Sequence, residues 1–121
     1  MSDCGSIYIE FFEGNDCTQD NLGCVPYLEA QYDLVGDNGP IPNDEARSCR
    51  LRKVTPGKIK LFNMGGGQQR DDWTEIQILQ DLEVYDINSF NAPVDNAQVK
   101  VVPNGSKLDG KVSRIEVFPG R

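Results

Sequence analysis

The sequence predicts an all-β protein in which two Greek-key motifs form a β-sandwich. Short segments rich in aromatic and β-branched residues alternate with clusters of Gly, Pro, Asn and Asp, which is typical of many short strands. Helical periodicity is nowhere sustained over three turns. In addition, one pattern occurs twice, as NDEARSCRLRKV at 43–54 and LDGKVSRIEV at 108–117. The length of 121 residues fits one domain.

The first half of the chain contains three predicted strands. The first ends near Gly14, and the second ends in the turn cluster GDNGPIPND. The third alternates, with Cys49 and Leu51 on one face and Arg50 and Arg52 on the other. We expect both arginines to point outward and to pair with acids. The predicted ranges are Ile7–Phe12, Leu28–Val35 and Ala46–Val54.

The second half contains about five more strands, one of which, LEVYDI at 82–87, also fits an irregular turn. In WTEIQIL, Thr74, Ile76 and Ile78 share one face and alternate with Trp73 and its neighbours. We expect Trp73, the one tryptophan, to belong to the core. Alternation buries one face of each sheet, so two sheets must pack together. The other predicted ranges are Lys58–Phe62, Trp73–Leu79, Ala97–Val102 and Val112–Phe118.

The repeated pattern relates the two halves. Aligning Asn43 with the residue 66 positions later places Cys49 on Ile115 and Leu51 on Val117, so that apolar positions coincide. The strands IYIEFFEGN and KIKLFNMGG, which precede the copies, also correspond. We therefore predict a single domain, 1–121, made of one motif at about 7–54 and a second at about 58–117.

These residues resemble the βγ-crystallin family. Its signature is a strand ending in aromatic-x-Gly, followed by a fourth strand that opens with Asn/Asp-Asn/Asp-x-x-Ser/Thr-Ser. NDEARSCRL is very similar to this pattern, and DGKVSRIEV matches it less completely. The resemblance covers nearly the whole chain as two motifs. It implies a non-enzymatic protein and, as in microbial members, calcium bound between the loops that open the fourth strands.

The resemblance also implies which oxygen atoms would hold calcium, a hard cation that takes six to eight oxygen ligands. The family uses a side chain at the second position, a backbone carbonyl at the third and a hydroxyl at the fifth. Arg47 and Gly110 occupy two side-chain positions without supplying oxygen, so each copy is incomplete and binding should be weak. We expect Asp44 and Ser113 to share one ion. The predicted metal-site residues are Asn43, Asp44, Glu45, Asp109, Lys111 and Ser113.

A metal-free role is the alternative for the same residues. Ser48 and Ser113 can hydrogen-bond to the backbone in a turn. Asp44 and Asp109 can cap loops or pair with neighbouring cations. In that case the protein keeps the architecture without the ion.

The four cysteines are Cys4, Cys17, Cys24 and Cys49. None forms a CxxC pair, which disfavours zinc. An even number favours two disulfides in an exported protein, and the sequence leaves three pairings open. Free thiols in a cytosolic protein are the alternative. The first residues lack the apolar run of a signal peptide, so an exported protein would have lost its leader.

Composition restricts function further. The chain has no histidine, which excludes His-dependent hydrolases and His-ligated zinc. A net charge of -7 disfavours nucleic acid and anionic membranes as partners. The alternative function is a secreted, monomeric interaction protein, such as a toxin, inhibitor or carbohydrate binder, that uses the loops at 17–27 and 35–44. Asn104-Gly105-Ser106 matches a glycosylation sequon and fits a turn equally well.

Overall fold

The structure, a computed structural model, describes residues 4–34, 39–42, 44–63, 73–104 and 112–120. Within these ranges the chain forms ten strands and one short 3₁₀ turn at Asn15–Cys17. No helix there is long and apolar enough to cross a membrane. The strands are β1 (Tyr8–Gly14), β2 (Thr18–Pro26), β3 (Ala30–Asp33), β4 (Ser48–Val54), β5 (Gly57–Phe62), β6 (Trp73–Ile78), β7 (Leu82–Ile87), β8 (Val94–Asp95), β9 (Val99–Asn104) and β10 (Arg114–Pro119).

The strands form two antiparallel sheets. One has the order β2-β1-β4-β7 and the other the order β3-β10-β5-β6-β9-β8. Each half of the chain contributes its third strand to the sheet of the other half, because β3 pairs with β10 and β7 pairs with β4. The two Greek keys are therefore interlocked in one sandwich, and the predicted fold class is confirmed.

The strand register agrees with the sequence repeat. In the first half Phe11 lies opposite Cys49, and in the second half Leu61 lies opposite Ile115. The aligned residues Cys49 and Ile115 thus have the same place relative to the first strand of their own half. Because the side-chain period of a strand is two, a shift of one residue would have turned one of them away from the core.

Alternating side chains from both sheets make one core. In β6 the buried residues are Thr74, Ile76 and Ile78, as predicted. The rings of Phe11 and Phe90 meet edge to face, with centroids 6.4 Å apart, so a residue outside the strands also fills the core. Truncating such a buried ring to alanine costs about 3–5 kcal/mol.

The outward position of the two arginines in β4 is confirmed. The Arg50 Nε lies 2.7 Å from an Asp86 carboxylate oxygen on β7, and the Arg52 Nε lies 2.8 Å from Glu10 on β1. Both pairs are partly exposed, so each contributes at most about 1 kcal/mol. They link β4 to the strands on both sides of it, β1 and β7.

Two local predictions on the strands were wrong. Residues 17–27 were expected as an exposed loop, but Thr18–Pro26 forms the edge strand β2. The sequence of β2 is mostly polar and does not alternate, so only its pairing with β1 identifies it as a strand. That pairing is interrupted by two register shifts. Trp73 lies on the outer face of its sheet, half-buried, rather than in the core. It stacks on Phe62, with ring centroids 6.4 Å apart.

The expectation of two disulfides was also wrong. Cys4 and Cys24 are joined, whereas Cys17 and Cys49 are free thiols. Cys49 is fully buried in the core, opposite Phe11, and Cys17 ends the 3₁₀ turn. The Cys17 thiol instead donates a hydrogen bond to the Cys49 carbonyl oxygen, with sulfur and oxygen 3.3 Å apart.

A tight junction joins the two halves at Thr55–Gly57. The hydroxyl of Tyr27 donates to the carbonyl oxygen of Thr55 at 2.8 Å. The amide of Gly120, next to the end of β10, donates to the carbonyl oxygen of Pro56, also at 2.8 Å. The turn that joins the two halves is therefore fixed by one hydrogen bond from each half.

Candidate metal site

The first of the two predicted ligand loops leads into β4. Asp44 lies in a turn with φ of 61°, a left-handed conformation that aspartate tolerates better than most residues. Its side chain and that of Glu45 are exposed, whereas Ala46 is fully buried and anchors the loop. The loop thus presents acidic side chains to solvent from a fixed backbone.

The second loop leads into β10 and presents a buried hydroxyl. Ser113 is 3% exposed, and its amide donates to the carbonyl oxygen of Phe62 at 2.8 Å. Its hydroxyl donates to the carbonyl oxygen of Asn63. Its own carbonyl accepts the amide of Leu34 at 2.8 Å. Backbone contacts therefore fix the position of Ser113 on three sides.

The structure brings the two loops together. The amide of Asp44 donates to the carbonyl oxygen of Val112 at 3.0 Å, so Asp44 lies beside the residue that precedes Ser113. Equivalent bonds attach each loop to its own first strand, from Arg47 to Phe12 at 2.9 Å and from Ser113 to Phe62. The predicted meeting of the loops at one edge of the sandwich is confirmed.

The predicted ligand set is described only in part. Asp44, Glu45 and Ser113 lie in the described residues, and Asn43, Asp109 and Lys111 lie outside them. Arg47, at the position where the first copy would need a hydroxyl, is exposed. Across the described ranges no three Cys, Asp or Glu side chains come close enough together to hold a metal ion.

The chemistry of the described oxygens is compatible with a hard cation. A hydroxyl that donates its proton keeps lone pairs on oxygen, so Ser113 can bond to Asn63 and still offer its oxygen. The Asp44 carboxylate is free to move toward an ion because it is exposed. Two such ligands are fewer than the six to eight oxygens that calcium takes, so the described side chains alone do not complete a site.

Ser48 is the centre of a second polar cluster, and its hydrogen bonds to the backbone are those that the metal-free alternative predicted. The Ser48 hydroxyl donates to the Gly14 carbonyl oxygen at 2.6 Å and accepts the Cys17 amide at 2.9 Å. It thereby ties the β1–β2 turn to the start of β4. The Ser in the sixth position of NDEARS was the signal for this role, and it matches the metal-free alternative.

Both free thiols near this cluster are protonated at neutral pH. Burial, with the negative charge of Asp86 adding to it, raises the pKa of Cys17 from 9.0 to about 11. Burial likewise raises the pKa of Cys49 well above its usual value. In contrast, the hydrogen bond from Arg50 lowers the pKa of Asp86. Since thiolates are the reactive form, neither cysteine is suited to nucleophilic chemistry.

The fold, an interlocked pair of Greek keys in one sandwich, is the architecture that the resemblance to βγ-crystallins implied. Among solved structures, the chain is similar to a doubly substituted βγ-crystallin domain from Clostridium beijerinckii, with 14% identity and a TM-score of 0.42, over 93% of this chain and 97% of that one. At these values the match carries no information on residues or ligands. No protein-family model matches the sequence, and no curated protein does.

Proposed function

We propose that this chain is a non-enzymatic, exported, single-domain protein that binds calcium weakly at the two loops preceding β4 and β10. The hydrogen bond from the Asp44 amide to the Val112 carbonyl oxygen carries this proposal, because it places the loop that bears the exposed Asp44 carboxylate beside the loop that contains Ser113. These two residue types supply the hard oxygen ligands that calcium prefers. The net charge of -7 favours cations near the surface.

Export is supported by the disulfide between Cys4 and Cys24. Such bonds form and persist in oxidising compartments and are rare where thiols are kept reduced. The protonated state of Cys17 and Cys49 is compatible with such a compartment, because thiols with raised pKa values exchange slowly with disulfides.

Calorimetric titration with calcium tests the proposed site. We expect saturable heat with a Kd on the order of 10⁻⁴–10⁻³ M, and no such heat with magnesium. Asp44→Asn removes the carboxylate charge but suits the left-handed turn, so it should abolish binding without unfolding the protein. Asp81→Asn is the matched control, since Asp81 is an exposed acid next to Leu82, which pairs with Val54 at the far end of β4.

Thermal unfolding gives a second readout. If calcium binds only the folded protein, a hundredfold excess over Kd stabilises it by about 2.7 kcal/mol. Wild type and Asp81→Asn should both melt at higher temperature with calcium, and Asp44→Asn should not. Absence of heat and of any melting shift at millimolar calcium in the wild type would refute the calcium proposal.

A metal-free interaction protein is the second candidate, because two apolar side chains are exposed near the open end of the β1–β2 pair. Ile7 is 47% and Leu28 is 64% exposed, and the amide of Tyr27 bonds to the Ile7 carbonyl oxygen, so the two lie close together. A protein or carbohydrate ligand captured by the wild type and lost with Leu28→Ser would favour this function. If the Leu28→Ser variant still captured the ligand, the surface formed by Ile7 and Leu28 would not be the binding site.

A further inference from the structure

We propose that Asn104 carries an N-linked glycan whose first sugar packs against Trp73. Asn104 is the only asparagine in the sequence followed two positions later by Ser or Thr. It is exposed and ends β9. A glycan is bulky and must lie outside the folded chain, and Asn104 meets this condition. Ser106 contributes through the sequence alone and lies outside the described residues.

Asn104 also has an aromatic neighbour suited to a sugar. It lies directly opposite Trp73 in the β6–β9 ladder, and directly opposed residues of an antiparallel pair project from the same face. The strand order β5-β6-β9 places Phe62 on one side of Trp73 and Asn104 on the other. Phe62 stacks on Trp73 with 28° between the rings.

Phe62 stacks on one side of Trp73, and Asn104 lies on the strand at its other side. Trp73 is half-buried although it lies on the outer face of its sheet, and its indole nitrogen Nε1 is buried without a hydrogen-bond partner in the described structure. The apolar face of a pyranose ring attached to Asn104 can cover the part of the Trp73 residue that stays exposed. Covering exposed aromatic surface removes apolar area from water, which favours this position of the sugar.

The donor is an oligosaccharide carried on a polyprenyl diphosphate, and the reaction is catalysed by an oligosaccharyltransferase of the secretory route. The amide nitrogen of Asn104 bonds to the anomeric carbon of the sugar. The bond from that carbon to the diphosphate oxygen breaks, the amide loses one proton, and the polyprenyl diphosphate leaves. No oxidant or reductant is needed. The proposal rests on the export part of the proposed function and not on calcium binding.

Secretion of the full chain behind a cleavable signal peptide from a eukaryotic host tests the acceptor. We expect one glycan, removable by a peptide amidase that converts Asn104 to Asp. Asn104→Gln and Ser106→Ala should both lose the glycan, and Ser106→Thr should keep or increase its occupancy. A secreted wild type with its disulfide formed but without glycan would overturn the proposal, and so would a glycan retained by Asn104→Gln.

The contact with Trp73 has its own readout, because Trp73 is the sole tryptophan and reports alone in fluorescence. Enzymatic removal of the glycan should increase quenching of Trp73 by acrylamide. The Asn104→Gln protein should give the quenching of the deglycosylated wild type. Equal quenching before and after removal would overturn the packing of the sugar on Trp73.

The same samples separate this proposal from the calcium site. Asn104→Gln should bind calcium as the wild type does, and Asp44→Asn should still be glycosylated. Glycosylation without calcium binding would refute only the metal proposal, and calcium binding by an unglycosylated secreted chain would refute only the glycan. Native protein recovered from the extracellular fraction without glycan would leave export intact and refute Asn104 as a natural acceptor.

Discussion

Ser48 and Ser113 hold similar places at the starts of β4 and β10 although they are not aligned in the sequence repeat. The Ser48 hydroxyl donates to the carbonyl of Gly14, and the Ser113 hydroxyl donates to the carbonyl of Asn63. Each bond ties one of these strands to the segment that ends or follows the first strand of its half. The repeat aligns Arg47 with Ser113, so the second half places its serine one residue earlier.

Ser48→Ala should destabilise the protein. The side chain is fully buried, and its loss leaves both the Cys17 amide and the Gly14 carbonyl without this partner. Leaving buried polar groups unpaired costs about 1–3 kcal/mol. Urea unfolding measures the change, and Ser6→Ala, at an exposed site, should shift stability by no more than about 0.5 kcal/mol. Equal effects of the two substitutions would contradict the role of Ser48.

Much of the fold could be predicted because local alternation and global packing agree. In β6 the buried residues Thr74, Ile76 and Ile78 alternate with partly exposed ones, and in β10 Ile115 and Val117 do the same. The exchange of β3 and β7 between sheets was not predictable, because strand partners are chosen by tertiary packing. β2 was also not predicted, because its polar sequence does not alternate and only its pairing with β1 makes it a strand.

The candidate site was predictable to a similar extent. The resemblance to βγ-crystallins implied that the loops of Asp44 and Ser113 meet at one edge, and the bond from Asp44 to Val112 agrees. The metal-free alternative predicted that the Ser113 hydroxyl bonds to the backbone, but the sequence could not identify the acceptor, the carbonyl of Asn63 near the end of β5. The disulfide was likewise beyond sequence, since spacing alone leaves three pairings for four cysteines.

Reducing the disulfide should lower the free energy of unfolding. The bond between Cys4 and Cys24 spans 20 residues, and closing a loop of this length stabilises by about 3 kcal/mol in the chain-entropy model. Urea unfolding with and without reductant measures the loss. The variant Cys4→Ser/Cys24→Ser should be insensitive to reductant. Residual sensitivity would indicate a second disulfide and contradict the free state of Cys17 and Cys49.

Stability should decrease at alkaline pH. The pKa of Cys17 is raised from 9.0 to about 11, so between these values the folded protein holds a proton that the unfolded chain has released. The free energy of unfolding therefore falls as pH rises through this window, and it is unaffected by this group below it. Cys49 acts in the same direction.

Urea unfolding from neutral pH to about pH 11 measures this dependence. Cys17→Ser removes one of the two thiols and should make the decrease shallower while leaving stability near neutral pH little changed. A decrease of the same size in Cys17→Ser would show that Cys17 is not a cause. Stability that rises with pH in this window would contradict the raised pKa of both thiols.

Gly57→Ala should destabilise the junction between the two halves, although alanine normally restricts the unfolded chain and suits a strand better than glycine. A Cβ atom at Gly57 would lie 2.6 Å from the Gly120 amide nitrogen and 2.7 Å from the Phe118 carbonyl oxygen. It would also meet the Tyr27 hydroxyl. Backbone atoms cannot move aside as a flexible side chain can, so the β5–β10 pairing must shift.

Overpacking of this kind costs about 1–3 kcal/mol, which exceeds the gain from restricting the unfolded chain. Tyr27→Phe/Gly57→Ala removes the hydroxyl, and therefore relieves one contact, but leaves both backbone contacts. Most of the loss should persist in this double variant relative to Tyr27→Phe alone, as measured by urea unfolding. Full recovery would assign the constraint to the Tyr27 side chain, and a stabilised Gly57→Ala would show that the strands separate there at little cost.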